Sequence, residues 1–181
     1  MAGGVTQMKN RLELAELFRD RGFKIGVEVG VYQGNYSLVL AQTIPDLTLY
    51  SVDPWVFHDR YKGSGETITN AHRLSKEKLE PLGVNIVQKF SMEAVKDFEP
   101  RSIDFVYIDG DHTFDSVMQD IIEWGRRVKK SGIISGHDYT DGTAVKEAVD
   151  MYYRHHKLEL EVTEESDDHA RSWMIVKKWG Y

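Results

Sequence analysis

The chain predicts an α/β fold: a mostly parallel sheet with helices on both faces, closed by an antiparallel final strand. Three observations carry that prediction. Strand-like and helix-like runs alternate through most of the 181 residues, the pattern of a sheet built with crossover helices. The run 103–108, Ile-Asp-Phe-Val-Tyr-Ile, is almost continuously apolar, as a strand buried on both faces must be. The last two strand-like runs, 158–163 and 172–178, are separated by a polar turn at 164–168. No helix fits between them, so they pair antiparallel.

The elements follow in order. Leu12, Leu14, Ala15, Leu17 and Phe18 predict an N-terminal helix that ends near Gly22. A strand at 25–29 runs into a glycine loop and a helix at 35–44, stopped by Pro45. A second strand, 47–52, ends at Asp53-Pro54. An irregular aromatic segment follows, then a helix at 67–80 before Pro81, a strand at 85–88 and the strand at 103–108. Phe114, Val117, Met118, Ile121, Ile122 and Val128 form one apolar stripe, predicting a helix that Gly132 ends. A strand at 133–135 and a helix at 143–156 precede the closing pair. No repeat or linker divides the chain, which reads as a single domain over 1–181, with the N-terminal helix in 1–22 and the sheet core in 23–181.

Composition narrows the function. The net charge of −6 argues against nucleic acid or an anionic membrane as partner. There is no cysteine, hence no disulfide and no thiolate chemistry, which fits a cytoplasmic location. The N-terminus lacks a secretory pattern, and no stretch approaches ~20 apolar residues.

The chemistry gathers after the strands, where open α/β sheets bind ligands. Gly30 and Gly34 stand four apart after the first strand, with Glu28 two residues before. This is not the G-x-G-x-x-G of a pyrophosphate loop, and it points instead to S-adenosylmethionine. Asp53, after the second strand, offers two acceptors to the two ribose hydroxyls; it also reads as a cap of the Pro54 turn. Asp109-Gly110-Asp111-His112 follows the most buried strand, and polar groups placed there must meet solvent, ligand or one another. His137-Asp138 follows the fifth strand.

Four segments, 28–34, 51–54, 107–112 and 136–139, together resemble class I S-adenosylmethionine-dependent methyltransferases. The resemblance covers about residues 20–179 and is nearest to the catechol-type and macrocin-type O-methyltransferases. It implies a Rossmann-like, seven-stranded sheet and methylation of a small-molecule hydroxyl. Glu28, Gly30, Tyr32, Gly34, Asp53, Ser91, Met92 and Asp109 would then bind the cofactor. Glu28 would meet its ammonium or orient the loop, and Ser91 and Met92 would meet its adenine. That family usually has Ser two residues after the second glycine; here Tyr36 stands there and Ser37 comes next. Asp109 and Asp138, with Asp111 or His137 beside them, would hold Mg²⁺ or Mn²⁺, although His137 departs from the Asp-Asp or Asp-Asn that the family has there; His112 would be the general base where the family has Lys.

Plainer readings stay open. Glu28 reads also as a satisfied half-buried carboxylate, Met92 as core and His112 as a helix cap. Without a metal, His112 or His137 is the working base. The aromatic segment 55–66 reads equally as a lid or as the interface of a homodimer. An NAD(P)-dependent oxidoreductase shares the strand–glycine–helix start, and a non-catalytic cofactor-binding subunit fits the short chain.

Overall fold

The computed structural model describes residues 8–56, 65–164 and 170–178. Helix α1 (Arg11–Asp20) opens on Asn10, whose side chain accepts from the amides of Leu12 and Glu13. Strand β1 (Ile25–Val29), helix α2 (Asn35–Thr43) and strand β2 (Thr48–Val52) follow as the periodicity predicts. Helix α3 (Gly65–Leu79) buries Ile68, Ala71, Ser75 and Leu79 along one stripe and runs into a 3-10 turn at Glu80–Leu82. Then come β3 (Asn85–Val87), α4 (Ser91–Ala94) with a 3-10 turn at Val95–Asp97, and β4 (Ile103–Ile108). Helix α5 (Phe114–Arg127), β5 (Val128–Gly136), α6 (Ala144–His155), β6 (Leu160–Val162) and β7 (Trp173–Val176) complete the chain.

The sheet has seven strands in the order β3-β2-β1-β4-β5-β7-β6. The first five are mutually parallel, and β7 is antiparallel to both neighbours. One face is covered by α1, α2 and α3, with Leu14, Phe18, Leu40 and Leu79 packed on Phe105 and Met174. The other is covered by α4, α5 and α6, with Ala94, Ile121, Trp124 and Val149 packed on Val106 and Ile134. Gly26 belongs to that packing: a Cβ there would lie 2.1 Å from the Phe105 ring, which stacks on Phe18 at 4.2 Å.

Two local expectations are corrected, and one element is new. The stripe that seemed to carry α5 to Gly132 stops at Arg127, because Val128 is extended and opens β5 opposite Ile103. Lys177 ends the helix from a distance: its buried ammonium donates to the carbonyls of Gly125 and Val128, both at 2.7 Å. Residues 91–94 form a helical turn too short to show a period. Finally, the alternation in 172–178 predicts a half-exposed strand, and the structure buries most of it. Trp173, Met174 and Ile175 are all buried, so β7 lies inside the sheet and the shorter β6 takes the edge.

Candidate active site

The site begins where β1 and β4 end side by side. Gly30 has φ +88°, and a Cβ on it would lie 2.0 Å from the carbonyl oxygen of Asp109. Only glycine permits both that backbone and that approach. Asp53 shapes the loop. One of its oxygens accepts from the amides of Val31 (3.0 Å) and Tyr32 (2.9 Å), the other from the amide of Trp55 (2.7 Å). Gly34, at φ +77°, caps α2. The Tyr32 side chain points outward, 45% exposed, while its carbonyl accepts from the Trp55 indole at 2.8 Å.

Glu28 lies behind this loop and not on a cavity wall. It is 2% exposed and bonded to Ser37, which in turn shares a 2.6 Å contact with Ser51. Burial pushes its carboxyl up to about 8, against the pull of the Ser37 hydrogen bond. Ser37 therefore faces Glu28 in the interior, and Tyr36, in the position where the resembling family has Ser, packs on Tyr107 at 4.2 Å.

A cavity of about 630 Å³ opens beyond the strand ends. Gly30, Asp53, Ser91, Met92, His112 and Asp120 are among its walls. Asp120 was not expected. It sits on the buried stripe of α5 between Val117 and Trp124, and a carboxylate on an apolar stripe is the sequence signal that could have found it. Ser91 donates to its carboxyl and accepts from the Trp124 indole at 2.8 Å. Burial pushes the Asp120 carboxyl up to about 6.

Asp109, His112, His137 and Asp138 meet at the end of β4 and β5. His112 Nε2 is 3.1 Å from Asp138 and 3.7 Å from Asp109. His137 Nδ1 is 3.5 Å from Asp138 and 3.8 Å from Asp109. His137 is buried, its amide bonded to the Ile108 carbonyl and its carbonyl accepting from the Trp173 indole. Asp138 holds a left-handed backbone, φ +56°, which turns its carboxylate back to the imidazoles. Asp109 and then Asp138 hold the His112 imidazole above its usual pKa, against burial. Burial raises the Asp138 carboxyl, but hydrogen bonding to His137 and the two imidazoles outweigh it, so its pKa falls below the usual range. Ligand atoms of Asp109, His137 and Asp138 lie within 4.8 Å of one another. Arg11 Nη1, carried in by α1, stands 3.9 Å from Asp109.

Of the aromatic segment, Trp55 is buried and stacks on His72 at 4.4 Å, and Val56 lines the cavity. Residues 57–64 lie outside the described residues, and with them most of the lid or interface reading. Among the described residues, no helix is long and apolar enough to cross a membrane.

Comparison with known proteins agrees with this architecture. Residues 27–139 match the family described as methyltransferase domain, a span that includes the glycine loop, Asp53, the Asp109 cluster and Asp120. An uncharacterized protein, R132, of Acanthamoeba polyphaga mimivirus is 25% identical over 119 residues, 64% of this chain. The chain spans about half the length of that relative, 51%. An O-methyltransferase from Bacillus cereus, solved in complex with SAH, superposes with TM-score 0.67 at 12% identity, over 92% of this chain and 80% of that one. The O-methyltransferase TomG from Streptomyces achromogenes, involved in tomaymycin synthesis and solved with SAM, gives TM-score 0.66 at 13% identity, over 92% and 79%. The family match decides between the two readings of the strand–glycine–helix start, against the NAD(P) alternative. The chain belongs to the methyltransferase-domain family, with the fold of class I S-adenosylmethionine-dependent enzymes and structural neighbours among the O-methyltransferases.

Proposed function

We propose that this protein transfers the methyl group of S-adenosylmethionine to a hydroxyl oxygen of a small-molecule acceptor, with a divalent ion held by Asp109, His137 and Asp138. The observation that carries the reading is the placement of these three residues and His112 together beside the glycine-loop cavity. Two carboxylates and one imidazole suit Mg²⁺ or Mn²⁺, and the imidazole favours Mn²⁺. Such an ion, when bound, acidifies a coordinated hydroxyl.

The chain's own residues supply the rest. The amides opening α2 receive the carboxylate of the cofactor, because those of Gly30, Val31 and Tyr32 are already bonded to Val52 and Asp53. Asp53 has spent three of its roughly four acceptor positions on Val31, Tyr32 and Trp55, which leaves room for one ribose hydroxyl and not two. His112, half-exposed at the cavity wall, takes the acceptor proton. The sulfonium carbon is already electrophilic, so the protein has only to hold the acceptor oxygen in line, ~3 Å away.

The test is methylation of a panel of catechols, sugars and hydroxy acids with Mn²⁺, Mg²⁺ or chelator. Product should form with the ion and disappear with chelator. Asp109→Ala should lose more than ~100-fold in turnover, the scale at which even outer partners of metal ligands act. It should keep its fold, as circular dichroism would show. Full turnover in that variant contradicts the ion site.

A further inference from the structure

Asp120 is a buried ionisable group on the cavity wall that the proposed chemistry leaves without a task. It is 4% exposed, yet it lines the cavity. The hydrogen bonds around it have a fixed direction. An indole N–H can only donate, so Ser91 Oγ accepts from Trp124 and spends its single proton on Asp120 Oδ1. Ser91 then has no proton for a ligand. The Ser91 hydrogen bond falls on Oδ1; the other oxygen, Oδ2, is not among the sealed polar atoms that lack a partner, and it is left to the cavity that Asp120 lines. That cavity has Val29, Val52, Phe90 and Met92 among its apolar walls, and the Asp111 carboxylate adds repulsion to the burial. Burial accordingly pushes the Asp120 carboxyl up to about 6. An oxygen placed like Oδ2 is satisfied by whatever fills the cavity, water in the empty site and a donor group of the ligand in the occupied one.

We propose that Asp120 Oδ2 is the acceptor for the exocyclic 6-amino group of the cofactor's purine, and that Trp124 and Ser91 hold the carboxylate in place for it. The proposal rests on the cofactor reading above and adds the residue that reads the base. An amino group brings N–H donors to an oxygen left to the cavity. A purine with a 6-oxo group in the same pose would set a carbonyl against a carboxylate, two acceptors with no proton between them. A site built to hydrogen-bond a ligand N–H rejects the analogue that lacks it more strongly than an apolar wall does. Ser91 and Met92 then serve as frame and face of the base pocket, and the edge is read from α5.

The experiment is calorimetric binding of S-adenosylhomocysteine and its 6-oxo analogue, S-inosylhomocysteine, to the wild-type protein and to Asp120→Asn, at about pH 8 so that the carboxyl is ionised. The wild type should prefer the 6-amino ligand by ~30-fold or more. In Asp120→Asn the amide can turn its NH₂ to the 6-oxo group, and the two affinities should come within ~5-fold, mainly through tighter binding of the inosyl ligand. Equal binding of both ligands by the wild type overturns the assignment and needs no variant to do so. An unchanged preference in a folded Asp120→Asn protein overturns it as well. Binding of neither ligand by the wild type overturns the cofactor reading itself, a result distinct from equal binding of both.

Discussion

Asp53 shows how one side chain serves both fold and ligand. It ties the glycine loop to the start of the next segment through three backbone amides while facing the cavity. Asp53→Ala should strand those amides and cost ~2–4 kcal/mol in urea unfolding, with a larger loss of S-adenosylhomocysteine affinity than of turnover at saturation. A variant as stable as wild type would remove the clamp from the argument. Glu28 makes a prediction of the opposite kind. Its folded value of about 8 lies above the ordinary 4.5, so between those values the folded chain keeps a proton that the unfolded chain has released. Over that window its contribution to stability falls as pH rises, and above about 8 the full cost of a buried charge is present. Urea midpoints measured at about pH 5.5 and about pH 8.5 should drop in the wild type and drop less in Glu28→Gln. An equal drop in both proteins would place the cause elsewhere.

At the scale of elements, long-range contacts set boundaries that local pattern leaves undefined. The end of α5 depends on Lys177, far along the chain, whose ammonium caps the Gly125 and Val128 carbonyls. Lys177→Met should cost ~2–4 kcal/mol, because two carbonyls lose a charged donor in a buried place. Hydrogen exchange should accelerate around 125–130. The junction of β1 with β4 is the second such case. Gly30→Ala would drive a Cβ into the Asp109 carbonyl on a backbone that L-residues avoid. It should part the two strand ends and abolish S-adenosylhomocysteine binding before it unfolds the chain, as circular dichroism alongside calorimetry would show.

At the scale of the molecule, α1 is part of the core and part of the site at once. Leu14, Ala15 and Phe18 are completely buried under it, and Phe18 stacks on Phe105 of β4. The same helix carries Arg11 to within 3.9 Å of Asp109. Phe18→Ala should cost ~3–5 kcal/mol in chemical denaturation, as for a large aromatic lost from a packed interior. Removing residues 1–22 should leave a chain that does not fold cooperatively. A cooperative transition in the truncated chain would show that the sheet and its other five helices suffice.

The sequence by itself determined the order of the elements, the parallel sheet with an antiparallel end, and the stations of the chemistry after β1, β2, β4 and β5. Those follow from periodicity and from polar residues breaking apolar runs, which are local properties. It also marked Asp109, His112, His137 and Asp138 by type. Only the tertiary structure decided that Glu28 turns inward to Ser37, that β7 and not β6 is interior, and that Lys177 ends α5. Only there does Asp120, hidden in an apolar helical stripe, reach the cavity wall. Each of these depends on which distant residue supplies a hydrogen-bond partner or excludes water, and neither is written in the neighbouring residues.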